Sequence, residues 1–222
     1  MNHSITTAIA FLLLPLTAAS QAAEPPSAIA AAELYIRTLV NHDEQAISQL
    51  NDYLRADRLR SGRSADYANA AELKQADKDF PREIADVALP LFPETHRNAL
   101  RAPLESLMGT VQKTRQQSRC KTVSASKPKL DKHGVLNTEV KFSCQLVKTP
   151  ETWAEGIQRM ARNRLSVDQV QGELKKLQAA YSVAANHTYE GTLSLGMVPK
   201  DKDKAWRNDF AREAFDEMFS EL

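Results

Sequence analysis

The sequence predicts an α+β protein, mostly helical, with a small antiparallel sheet. Three observations predict it. Apolar residues recur at helical spacing along most of the chain. The period changes to strand-like alternation only near residues 135–147 and 187–198. Helix-start signals punctuate the helical stretches, among them Ser27, Asp43, Thr149-Pro150 and Ser166-x-x-Gln169.

Residues 8–19 form an apolar run, too short for a membrane span of about 20 residues. Ser20 and Ala22 supply the small side chains of a cleavage site, so residues 1–23 read as a secretory signal peptide. After its removal no stretch approaches a membrane span, and the mature chain is expected in the periplasm or outside the cell. Ser27 caps a first helix to about Val40, with Ile29, Ala32, Ile36, Leu39 and Val40 on its apolar face. Asn41-His42-Asp43 breaks it. Asp43 caps a second helix with Ala46, Ile47, Leu50, Tyr53 and Leu54. Ser61-Gly62-Arg63-Ser64 is a loop. Residues 65–79 look helical but polar, hence exposed. Pro81 is expected to open a short helix through Ile84, Val87 and Ala88, closed by Pro90 and Pro93. Residues 94–118 are helical around Leu100, Leu104, Leu107, Met108 and Val111, and Pro103 predicts a kink or restart.

A hairpin follows at about 119–147. Asp131-Lys132-His133-Gly134 fits a type I turn with a glycine bulge. Cys120 and Cys144 flank it and are the chain's 2 cysteines. In an exported protein they are expected to pair. The bridge closes a loop of about 25 residues, worth roughly 3 kcal/mol in the chain-entropy account. A three-residue turn would set Cys144 opposite Thr122, so a bulge or a longer loop is needed for alignment. Thr149-Pro150-Glu151 is expected to start the helix through Trp153, Ile157, Met160 and Ala161. The Ser166 box starts the next, through Val170, Leu174, Leu177 and Tyr181. A third strand spans about 187–198, with Tyr189, Leu193, Leu195 and Met197 on one face. An amphipathic helix over residues 205–222 ends the chain. Residues 24–222 are expected to form one α+β domain. The alternative divides a helical part, 24–118, from a hairpin-containing part, 119–222.

Function classes narrow by exclusion. Lys plus Arg is 29 against 28 Asp plus Glu, so the basic excess of a nucleic-acid binder is missing. HExxH, GxSxG, GxGxxG and phosphate-loop patterns are absent. The expectation is no cofactor, no metal and no motif-borne catalytic residue. His42, Asp43 and His96 are the acid–base candidates for a composite site, although capping alone accounts for the acids at 43 and 44. Arg55, Arg58, Arg60 and Arg63 interleave with Asp52, Asp57 and Asp66, which reads as a solvated mixed-sign face. Trp206, Phe210, Phe215 and Phe219 crowd the last helix of a chain that is 6% aromatic. They read as core, or as a docking helix or lid. With Tyr189 they are the candidate binding residues.

Residues 31–54, AAELYIRTLVNHDEQAISQLNDYL, resemble the opening of exported bacterial domains of the nuclear-transport-factor-like, or cystatin-like, α+β superfamily. Those begin helix, short break, helix, and Asn41 and Asp43 stand at the break here. The resemblance implies that a curved antiparallel sheet follows. The chain departs from that pattern by long helices at 65–118 and 150–184 and by ending on a helix. Such families mix enzymes with binding domains, so the resemblance assigns no catalytic residue.

These readings converge on a non-catalytic exported binding or interaction protein. It would hold an apolar small molecule or a protein partner's segment between the sheet and the C-terminal helix. The alternatives are an immunity-type toxin neutraliser, an envelope assembly factor, or an envelope hydrolase with a composite site.

Overall fold

Ser27 opens the first helix as its capping chemistry requires, its hydroxyl accepting the Ala30 N–H at 3.2 Å. The computed structural model describes residues 27–220. The predicted signal peptide, residues 1–23, lies outside the described residues. The helices are α1 (Ala28–Leu39), α2 (Glu44–Arg60), α3 (Ala70–Ala88), α4 (Glu94–Gln116), α5 (Trp153–Arg162), α6 (Val167–Tyr181) and α7 (Ala211–Ser220). The strands are β1 (Arg119–Ala125), β2 (Lys129–Leu130), β3 (Leu136–Leu146) and β4 (His187–Met197). This is the expected α+β class: helices packed on a small antiparallel sheet. No helix among the described residues is long and apolar enough to cross a membrane.

Local signals placed most boundaries. Asp43 accepts the Ala46 N–H at 2.9 Å and starts α2. Ser166 and Gln169 form the capping box of α6. Five features differ from expectation. On α1, Ile29 faces solvent while Ala31 and Tyr35 are buried. α3 runs unbroken through Pro81, capped by Asn69 rather than starting at 65. An interior proline costs about 3 kcal/mol, and packing on α4 outweighs it. The Pro81 ring faces Gly109 of α4, where an added Cβ would lie 3.9 Å away. α4 likewise does not restart at Pro103. α5 starts at Trp153, because the Thr152–Glu155 capping box satisfies two backbone N–H groups where Thr149 would satisfy one.

The fifth difference is toward the end of the described residues. α7 begins at Ala211, and residues 205–208 run extended beside β4, with Arg207 bridged to Gly196. Two tyrosine hydroxyls hold that segment: Tyr53 accepts the Trp206 N–H at 2.6 Å, and Tyr35 accepts the Asn208 N–H at 3.0 Å. Backbone N–H groups committed to these partners are not free to form a helix turn.

β3 is the central strand. β4 pairs along one side of it, and β1 and β2 share the other. The turn is as predicted: Gly134 has φ 79° and donates its N–H to the Asp131 carbonyl. Leu130 faces Leu136, and that register continued would set Thr122 against Cys144. One residue is gained before Ala125↔Val140 and another at the bulge before Thr122↔Phe142. The two slips bring Cys120 opposite Cys144, and the disulfide forms. Replacing both cysteines by Ala is expected to cost about 3 kcal/mol, read as a lower denaturation midpoint that reducing agent does not lower further. Gly191 faces Phe142 across β3–β4, where a Cβ would lie 2.5 Å from the ring. The glycine lets that ring cross the strand.

Two apolar clusters result. One joins α1, α2, β3, β4 and α7 through Tyr35, Ile36, Leu50, Phe142, Leu195 and Phe215. The other joins α3 to α6 through Leu100, Leu104, Leu107, Met108, Ile157 and Leu174.

Candidate functional site

Where the two clusters meet, three helices turn one stripe each toward a common space. α3 gives Leu73, Ala76, Asp77 and Phe80, α4 gives Gln112, Arg115 and Gln116, and α7 gives Arg212, Phe215, Asp216 and Phe219. Each set keeps the i, i+3, i+4 spacing of a single helix face. The end of α1 adds Leu39 and Val40, and the turn after it adds His42. They line a partly open cavity of about 250 Å³.

His42 is placed there by an uncommon backbone. Its φ is 52°, in the left-handed region, where histidine is one of the more tolerated side chains. Asn41 anchors the turn, its side-chain amide donating to the Gln116 and Ser118 carbonyls at 2.8 and 2.9 Å. His42 Nδ1 lies 3.0 Å from both oxygens of Asp77. A carboxylate only accepts, so Nδ1 carries the proton of that hydrogen bond. The Gln112 amide donates to Asp77 Oδ1 at 2.7 Å, and the Gln116 amide lies 3.3 Å from Nδ1. Arg115 lies over the Phe219 ring, 5.1 Å from its centroid, and donates to the Phe219 carbonyl. Burial pushes its guanidinium below the usual value.

The arrangement offers apolar walls, a hydrogen-bonded His–Asp pair, the half-buried Arg115, and an exposed Arg212 and Asp216 at the rim. The lining contains no hydroxyl, thiol or lysine side chain. A larger groove, about 1100 Å³ and similarly open, runs between α4 and residues 182–185. It is lined mainly by hydroxyl and amide side chains with Lys113 and Arg119. Ligand sites typically combine apolar walls with a few convergent polar groups; the smaller cavity fits that description more closely, since large apolar side chains from three helices line it.

The sequence candidates separate. Phe215 and Phe219 line the cavity and are buried in the first cluster as well. Phe215 packs 5.6 Å from the Phe142 ring, filling the space between α7 and the inner sheet face. Trp206 is buried under α2, and Tyr189 is half-buried with its ring 6.1 Å from Phe142. Phe210 is 73% exposed, at the rim of a shallow depression beside β4. His42 lines the cavity, whereas Asp43 and His96 do not. Asp43 caps α2 and pairs with Arg37 at 2.8 Å, and Arg37 holds its carboxyl below the usual range. His96 lies in the first turn of α4 with a buried Nδ1 that has no partner. Sequence reasoning missed Asp77, Arg115, Gln112 and Gln116. The signal that could have found them is the Leu73-x-x-Ala76-Asp77-x-x-Phe80 stripe, an acid set among apolar positions of a helix read as wholly exposed. Among the described residues no cluster of three His, Cys, Asp or Glu has metal-holding geometry.

No family model matches the sequence, and no curated protein matches it. The superfamily resemblance therefore rests on the residues of α1 and α2. Among solved structures, the chain is similar to a crystal structure of a candidate lipoprotein (ycdA) from Bacillus subtilis, with 17% identity and a TM-score of 0.36. The match covers 82% of this chain and 60% of that one, so the chain spans less than two thirds of its length.

Proposed function

We propose that this is an exported, non-catalytic binding protein whose cavity between α1, α3, α4 and α7 holds a small molecule with an apolar body. One observation carries the reading: apolar stripes from three helices converge with a histidine, two carboxylates and two arginines on one partly open cavity. Export is supported by the Cys120–Cys144 disulfide, a bond of oxidising compartments, and by the signal-peptide pattern of residues 1–23. The cavity's position at the junction of both clusters supports residues 24–222 as one folding unit.

The test blocks the mouth without touching the core. Ala76 is exposed on α3 at the cavity rim, and a surface substitution there changes stability by about 0.5 kcal/mol or less. Wild-type protein is expected to enhance the fluorescence of 2-naphthol, a neutral probe of matching size. Ala76→Trp is expected to abolish the enhancement while the melting temperature holds. Undiminished enhancement in that variant would place the binding elsewhere.

A second reading, acid–base work on the bound molecule, is favoured by the His42–Asp77 pair, which orients an imidazole as general bases are oriented. Steady hydrolysis of p-nitrophenyl octanoate, lost in His42→Ala, would establish it.

A further inference from the structure

Arg115 is half-buried at the cavity wall, and among the described residues it forms no ion pair. Its hydrogen bond goes to the Phe219 carbonyl, and no carboxylate among the described residues lies within ion-pair distance. Asp77, across the cavity, is committed to His42 and Gln112. Asp216 is exposed on α7, and the exposed Arg212 stands one turn before it at the rim. Guanidinium carries five donors in a planar fork that matches a carboxylate. One of these donors is taken by the Phe219 carbonyl, the side chain is still partly reached by solvent, and Arg115 stays cationic despite its partial desolvation. Around that cation the walls are Leu39, Leu73, Phe80 and Phe215.

We infer that the cavity takes a carboxylate-headed amphiphile, its head on Arg115 and its apolar body against those four side chains. The inference rests on the proposed reading of the cavity as the ligand site. A volume of about 250 Å³ equals that of roughly eight liquid water molecules, which suits a ligand near the size of octanoate.

The test is calorimetric titration with sodium octanoate and with 1-octanol, which share a chain and differ in charge. Octanoate is expected to bind wild type at least tenfold more tightly than octanol. Arg115→Gln is expected to weaken octanoate about ten- to a hundredfold and leave octanol unchanged. Arg115→Lys keeps the charge without the fork and is expected to fall between. Equal binding of the two probes by wild type, or undiminished octanoate binding by Arg115→Gln, would overturn the carboxylate inference while leaving the cavity reading intact. No binding of either probe would overturn both. If Arg115→Gln does not fold, the wild-type comparison and Arg115→Lys still decide.

Discussion

Removal of residues 205–222 is expected to unfold the sheet side of the protein, not to uncover a site. Trp206, Phe215, Met218 and Phe219 are all buried in the first cluster. Each large apolar side chain buried contributes about 1.5–3 kcal/mol, so the segment supplies on the order of 6–12 kcal/mol before the entropy of ordering it is counted. That is comparable to the whole stability of an ordinary domain, about 5–15 kcal/mol. The loss would not be apolar area alone. Tyr35 and Tyr53 would keep their hydroxyls inside the structure without the Asn208 and Trp206 N–H groups they now accept. Circular dichroism and dye binding check this: the truncated chain should lose its cooperative transition and expose apolar surface. A truncated chain that melts cooperatively near wild type would mean that the segment is a dispensable lid. Single substitution separates the two roles of this element. Phe210 is exposed, so Phe210→Ala should leave stability within about 0.5 kcal/mol, whereas Phe215→Ala should cost about 3–5 kcal/mol.

What could be read in advance was what is written locally. A cap residue and its partner lie within three positions of one another, so Ser27, Asp43 and Ser166 announced their helices. Strand alternation likewise placed β3 and β4, because side chains two apart share a face whatever the rest of the chain does. The errors came where a local preference met a stronger distant contact. Pro81 signals a helix start, but the packing of α3 on α4 overrides it. Residues 205–210 have a helical pattern, but two tyrosines nearer the N-terminus claim their N–H groups. The candidate site was legible to the extent of one residue. His42 stood out as a titratable group at a break, but its partner Asp77 is 35 positions away. Arg115 meets Phe219 across 104 positions. Neither separation leaves a trace in a single sequence. The disulfide falls between these cases: chemistry and compartment predicted the bond, while the two register slips that permit it had to be seen.

Asp57→Ala is expected to destabilise the protein by about 3 kcal/mol, although the sequence placed Asp57 on a solvated face. Its carboxylate is 3% exposed and lies under three arginines: Arg60 at 2.8 Å, Arg207 at 2.9 Å and Arg63 at 3.4 Å. Two of these hold further acids of the C-terminal segment, Arg60 pairing with Asp201 at 2.7 Å and Arg63 with Asp209. Asp57 is thus the buried centre of a charge network that ties the end of α2 to residues 201–209. Breaking a buried pair costs about 3–5 kcal/mol because the partner charges remain. The arginines here are about a third exposed and can turn to water, which puts the cost at the low end. Asp52 also pairs with an arginine, Arg55 at 3.1 Å, but both are exposed. Asp52→Ala should therefore change stability by less than about 1 kcal/mol and is the matched control. The same variant tests the single folding unit proposed above. Trp206 belongs to the sheet-side cluster and Trp153 packs on the helical one, and these are the chain's 2 tryptophans. With each replaced in turn by Phe, the survivor reports its own cluster. If 24–222 is one unit, Asp57→Ala moves both denaturation curves by the same amount, even though Asp57 lies in one cluster. A shift confined to the Trp206 signal would mean two units that unfold separately, and the cavity between them would then be a hinge whose closure the ligand itself must drive.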